Sequence, residues 1–150
     1  MSGKPRTASE ANEIAGSAFE WNVRVYYEDT DAAGVVYYAN YLKFMERART
    51  EWLRALPFDP TALALEQNVI FVVRAASIEY LQPARLNDEL HISAELASAR
   101  GCLIELVQSV RRGALVLVSA EVKLACVNKL SFRPVRIPAA ILDTITMRKA

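Results

Sequence analysis

Histidine and cysteine are scarce: the chain holds one histidine, His91, and two cysteines, Cys102 and Cys126. A single histidine excludes any site that needs a histidine pair within one chain. Two cysteines close at most one bridge, which suits a reducing compartment and excludes a disulfide scaffold. Long apolar runs are also missing. The longest, Val69–Val73 and Ala114–Val118, fall far short of the roughly 18 residues of a membrane span, so no transmembrane segment is expected. Charge of one sign is nearly absent, with 18 basic side chains against 17 acidic ones. That balance gives no basic field for nucleic acid, and no nucleic-acid partner is expected.

What remains is a chain of 150 residues that is 53% hydrophobic. It is long enough to bury a core without a disulfide or structural metal and short enough for one domain. Residues 1–18 (MSGKPRTASEANEIAGSA) are polar and lack an apolar stretch after Lys4 and Arg6. They read as a loose tail rather than a secretory signal, which points to a cytoplasmic protein with its single domain over 19–150.

Phe19 to Tyr27 alternates without a fault, with Phe19, Trp21, Val23, Val25 and Tyr27 on one face. This is a half-buried strand. Glu28–Val36 breaks the alternation and contains Gly34, as a loop does. From Ala39 the period lengthens: Tyr41, Met45, Ala48, Trp52 and Ala55 recur at steps of four and three. The spacing predicts a helix of about four to five turns, capped by Asn40 or the residue before it, with an Arg47–Glu51 pair, and stopped at Pro57. A short helical turn is expected over Pro60–Gln67. Strands follow at Ile70–Val73 and Ser77–Leu81 (one or two), Leu90–Leu96, Leu103–Val110 and Ala114–Val127, with Arg100-Gly101 and Arg112-Gly113 as turns. Pro138 opens a terminal helix through Ile141, Leu142 and Ile145. One apolar helix followed by a meander is an α+β order, the helix lying against a curved antiparallel sheet.

The chemistry concentrates in Tyr26–Arg49. Glu28, Asp29 and Asp31 crowd a loop that enters the helix. As a calcium loop, Asp29, Asp31 and Gly34 match positions one, three and six, but Ala33 and Asn40 stand at five and twelve, so the bidentate acid is missing and no metal is expected. The acids can simply be solvated residues favouring the positive helix end. Alternatively, the unpaired N–H groups around Tyr37–Ala39 can stabilise a developing oxyanion while a nearby carboxylate attacks the carbonyl or deprotonates water. That combination supports acyl transfer without histidine, serine, metal or cofactor.

The stretch VRVYYEDTDAAGVVYYANYLKFMERARTEWLRAL, continued in FVVRAASIEYLQPARLNDEL, resembles the hot-dog acyl-CoA thioesterases. It is similar to the 4-hydroxybenzoyl-CoA thioesterase family and, within it, to the Tol–Pal-associated acyl-CoA thioesterases, over about Trp21 to Pro138. The resemblance implies a hot-dog fold, a long helix wrapped by a curved sheet. It implies hydrolysis of an acyl-CoA, short-chain aliphatic or aromatic, to free acid and CoA, with coenzyme A as part of the substrate and no separate cofactor. Asp31 is then the catalytic carboxylate, and the amide of Tyr38 polarises the thioester. Gly34, Val36, Tyr37 and Tyr41 surround the acyl group, and Arg100 and Arg133 occupy places resembling phosphate contacts. The resemblance further implies edge-to-edge homodimers, paired into homotetramers, with association to Tol–Pal or lipid-synthesis machinery. Where the Tol–Pal group commonly reads Y-H-A-S-Y, this chain reads Tyr37-Tyr38-Ala39-Asn40-Tyr41. The tyrosine and asparagine look more like the 4-hydroxybenzoyl type, which tends to carry proline where Ala39 stands.

Other readings compete. A 4-hydroxybenzoyl-CoA-specific enzyme and a non-catalytic acyl-CoA-binding or scaffold protein remain open. Hydratase chemistry is disfavoured because no histidine stands near the loop-to-helix junction. Glu46 is the alternative helix carboxylate, set against an ordinary pairing with Lys43 or Arg49. His91 reads as a solvated strand residue, and the cysteines as packing residues. Arg74, Arg85, Arg111 and Arg112 are weaker phosphate candidates.

Overall fold

The computed structural model describes residues 19–57 and 59–149; the expected N-terminal tail lies outside them. Five strands build one antiparallel sheet: β1 (Phe19–Arg24), β2 (Val69–Tyr80), β3 (Glu89–Arg100), β4 (Leu103–Arg112) and β5 (Leu115–Asn128). Their spatial order is β1-β3-β4-β5-β2, which leaves β1 and β2 as edges. Helix α1 (Asn40–Arg54) rests on β3, β1 and β4, while α2 (Pro60–Gln67) touches β2 and α3 (Ala139–Lys149) packs on β3.

The alternation in the strands separates two faces. Leu90, Ile92, Ala94 and Leu96 of β3 and Ile104, Leu106 and Val110 of β4 are buried on the face toward α1. The helix answers with Tyr41, Phe44, Met45, Ala48 and Trp52, all buried. Burying one large apolar side chain contributes roughly 1.5–3 kcal/mol. A helix of this length depends on such packing rather than on its own propensity. The outer face is polar: Arg111 pairs with Glu20, Lys123 with Glu105, and the Ser93 and Ser109 hydroxyls share a hydrogen bond.

Three local expectations need correction, and one open alternative is resolved. β1 stops at Arg24, short of Tyr27, because the Val25 N–H donates to the Asp88 carbonyl and Tyr27–Asp29 tightens into a 3₁₀ turn. Of the one or two strands left open from Ile70 to Leu81, there is one, β2, with an irregularity between Val73 and Ala75 that absorbs Arg74. Glu51 pairs with Arg54, 2.7 Å away and one turn on, not with Arg47. Asn40 caps nothing: it opens α1, and the preceding Ala39 offers no side-chain acceptor.

Candidate active site

The loop between β1 and α1 treats its two aspartates differently. The Asp29 Oδ2 accepts the Tyr26 N–H at 2.8 Å, and its carbonyl accepts both the Tyr37 N–H at 3.0 Å and the Asn40 Nδ2–H at 2.9 Å. Asp29 is thereby spent on tying the loop to the first turn of the helix. Asp31 sits four residues from Val35 across a small hairpin, where its N–H donates to the Val35 carbonyl and its own carbonyl accepts from Gly34. Gly34 takes φ +80° there, the left-handed position of a turn followed by a bulge. One Asp31 oxygen accepts the Ala33 N–H at 2.9 Å. That bond orients the carboxylate and leaves the other oxygen open to solvent.

The hairpin's far end is the start of α1. Thr30 bridges Val36, and the Val36 N–H donates to the Ala84 carbonyl at 2.8 Å. Among the described residues, the Tyr38 and Ala39 N–H groups donate to no protein acceptor, and no side chain caps the helix. The open amides are the positive end of the α1 dipole. The Asp31 carboxylate and the open Tyr38 amide thus belong to one small hairpin, whose arms pair at Thr30 and Val36.

Beside these amides lies a cavity of about 260 Å³. Val36 and Tyr38 come from the loop, Tyr41 from α1, and Tyr80, Leu81, Gln82 and Pro83 from the end of β2 and the turn after it. No charged side chain is among them. Tyr38 meets Tyr80 edge to face at 6.0 Å between ring centroids, and Tyr80 lies 5.8 Å from Tyr41. Tyr41 is buried, backed edge-on by Phe44, and its hydroxyl accepts the Ala84 N–H at 3.0 Å. Burial pushes the Tyr41 phenol up despite that hydrogen bond, and burial with Tyr38 nearby raises that of Tyr80. Both stay protonated at neutral pH, so the cavity presents an uncharged aromatic wall.

The structure brings together Asp31, Gly34, Val36, Tyr37, Tyr38 and Tyr41. It does not bring Arg100 or Arg133 to them within one chain. Tyr80 pairs with Val118 at the site's end of the sheet. Arg100 stands at the β3–β4 turn, and the Arg133 carbonyl accepts from Asn128, opposite Val69, both at the other end. Arg85 and Arg112 stand nearer: Arg85 bridges Val35, and Arg112 reaches Asp88 at 2.8 Å. Glu46 is exposed on α1, and its charge opposes the lowering that burial imposes on Arg49. His91 bonds Asn22 at 2.7 Å on the outer face. The loop carboxylates do not converge; among the described residues no group of three metal-ligating side chains comes together. Tyr80–Pro83 were missed by sequence reading, although the run EYLQP closes a predicted strand on a proline, where a chain leaves a sheet and lines its mouth.

Comparison with known proteins gives the family. Residues 25–145 match the thioesterase-like superfamily. The chain is 46% identical to the acyl-CoA thioesterase YbgC of Haemophilus influenzae, and 48% identical to the acyl-CoA thioester hydrolase YbgC of Escherichia coli O6:H1. Each alignment covers 83% of this chain and 92% of the relative. A solved structure of a probable thioesterase from Bartonella henselae superposes with a TM-score of 0.70 at 35% identity, over 81% of this chain and 98% of that one. The family match over most of the chain, the identity with these relatives and the shared architecture identify the chain as a member of the thioesterase-like superfamily with the hot-dog fold.

Proposed function

We propose that the protein is an acyl-CoA thioesterase, hydrolysing the thioester to a free acid and coenzyme A. The observation that carries this reading is the division of labour in the loop. Asp29 is consumed by structure, while Asp31 keeps a free oxygen and the helix start beyond it keeps free amides. The thioester carbonyl oxygen accepts from the Tyr38 N–H, where the helix dipole stabilises charge as the carbon becomes tetrahedral. Asp31 then acts by one of two routes. As nucleophile, its oxygen bonds the acyl carbon, the C–S bond breaks, and water hydrolyses the resulting anhydride. As base, it takes a proton from the water that attacks. Either route consumes one water and releases one acid and one thiol. After a single turnover in H₂¹⁸O, label in Asp31 establishes the nucleophilic route with water attacking the aspartyl carbonyl of the anhydride.

The direct test is Asp31→Asn, assayed by thiol release on short aliphatic, benzoyl and 4-hydroxybenzoyl thioesters. The expected loss in kcat is on the order of 100-fold or more, with KM less affected. Wild-type turnover in the folded variant would move catalysis elsewhere, with Glu46 the next residue to test. Release from no thioester would leave an acyl-CoA-binding or scaffold protein.

The reading extends to assembly. β2 is a twelve-residue edge without proline, and such an edge invites pairing with another chain. Two copies joined antiparallel along β2 form a homodimer that sets the Val69 end of one beside the Tyr80 end of the other. Arg133 of each copy, at the same end as Arg100, then approaches the other's helix start, where CoA phosphates would lie; such dimers would pair into a homotetramer. Two free cysteines suit a cytoplasmic location. Association with Tol–Pal or lipid-synthesis machinery rests on the resemblance alone.

A further inference from the structure

We infer that Tyr80 sets the depth of the acyl pocket and so limits the acyl group to a short chain or a single ring; this rests on the thioesterase reading above. Tyr80 is the one ring that touches both Tyr38 at the mouth and Tyr41 on the floor. Its backbone is fixed, because the next two N–H groups, of Leu81 and Gln82, both donate to the Leu117 carbonyl at 2.8 and 3.1 Å. The root of the wall is held in this way, and the ring itself rests on Tyr38 and Tyr41. The cavity it closes is about 260 Å³, below the roughly 300–1,000 Å³ of pockets that take drug-sized ligands.

Beyond Tyr80 the sheet offers somewhere to go. Tyr80, Ile78, Ala76, Val73 and Phe71 face the same side of β2, since their partners Val118, Ala120, Val122, Leu124 and Cys126 are all buried. Every one of these β2 side chains is apolar, and Val73 is 52% exposed. Helix α1 rests on β3, β1 and β4 rather than here. The Tyr80 ring thus stands between a small pocket and a partly open apolar stretch of β2, exposed at Ala76 and Val73, a stop rather than the end of suitable surface.

The test is the chain-length profile of kcat/KM, from acetyl- to dodecanoyl-CoA and benzoyl-CoA, for wild type, Tyr80→Phe, Tyr80→Leu and Tyr80→Ala. Wild type is expected to favour short or single-ring acyl groups, and Tyr80→Phe to keep that profile, because the ring and not the hydroxyl blocks the way. Tyr80→Ala is expected to raise the ratio of octanoyl to butanoyl turnover by about tenfold or more, each newly buried methylene contributing up to about fourfold. Tyr80→Leu should fall between, and it carries the test if the alanine variant does not fold. Unshifted profiles in folded variants overturn the role of Tyr80 and leave the thioesterase reading intact. Absence of turnover by wild type on every thioester overturns both.

Discussion

At the scale of single residues, the site is made by hydrogen bonds that leave certain groups out. Asp29 and Asp31 are alike in sequence, two residues apart in the same loop. Only the placed structure shows Asp29 bonded to Tyr26 and Asp31 half free. Asn40 makes the parallel point for the helix: its side chain donates to the Asp29 carbonyl instead of capping. The helix start keeps its open amides for that reason. Ala84 is the third such residue. Its N–H donates to the Tyr41 hydroxyl and its carbonyl accepts the Val36 N–H, so one buried residue holds helix, loop and β2–β3 connection together. Tyr41→Phe keeps the ring packing but leaves that N–H unpartnered where Ala84 is fully buried. The expected cost is about 1–3 kcal/mol, read from urea unfolding. A several-fold fall in kcat should accompany it, as the Val36–Tyr38 backbone loosens. Unchanged stability would mean that a water replaces the hydroxyl.

Elements tell how far the chain could be read before it was folded. Strand and helix follow from periods of two and about 3.6 in apolar residues, and those patterns are strong here because each element has one wet face. Their ends were less legible. Val25 continues the alternation yet leaves the ladder, because its partner is a loop carbonyl sixty-three residues on, at Asp88. Gln108 was invisible for a similar reason. It occupies an inward position of an apolar strand, is fully buried, and bonds Arg49, the Met45 carbonyl and the Ser93 carbonyl. Two of those three partners, Arg49 and the Met45 carbonyl, arrive only with α1. The edge strand β2 yields a prediction at this scale. Lysine at Ala75 and Ser77, both exposed on β2, places like charges near their own copies in a two-fold edge pairing and should turn a dimer into monomers. Light scattering after gel filtration reads the mass. Thiol release should fall with it, if Arg133 of one copy serves the other's site. A double variant that remains dimeric and active would exclude β2 as the joining edge.

On the scale of the whole molecule, the site is a junction between distant segments, and this is why the sequence could name Val36, Tyr38 and Tyr41 on the loop and helix side of the cavity but not Tyr80–Pro83 across from them. Tyr38 and Tyr80 are far apart in the chain and meet only when the edge strand closes beside the helix. The β2–β3 connection that seals the junction is itself held by Asp88. Burial pushes the Asp88 carboxyl up, but the Arg85 N–H at 2.9 Å and the Arg112 guanidinium at 2.8 Å outweigh it. Its pKa is thereby held below the ordinary aspartate value of about 3.9. A depressed carboxylate means that the unfolded chain binds the proton more readily than the folded one. The stabilisation is therefore fully present above the ordinary value and is lost as pH falls through the lower, folded value. Urea midpoints of the wild type should decline below about pH 4. Asp88→Asn, which removes the charge, should be less stable than wild type at pH 7 and show a flatter acid limb, the two curves converging as Asp88 becomes protonated. Because Arg85 also bridges Val35 in the loop that carries Asp31, thioesterase activity of the wild type should weaken reversibly over the same acid range. Parallel curves for the two proteins would instead assign the acid loss to other carboxylates and leave Asp88 a spectator of the junction.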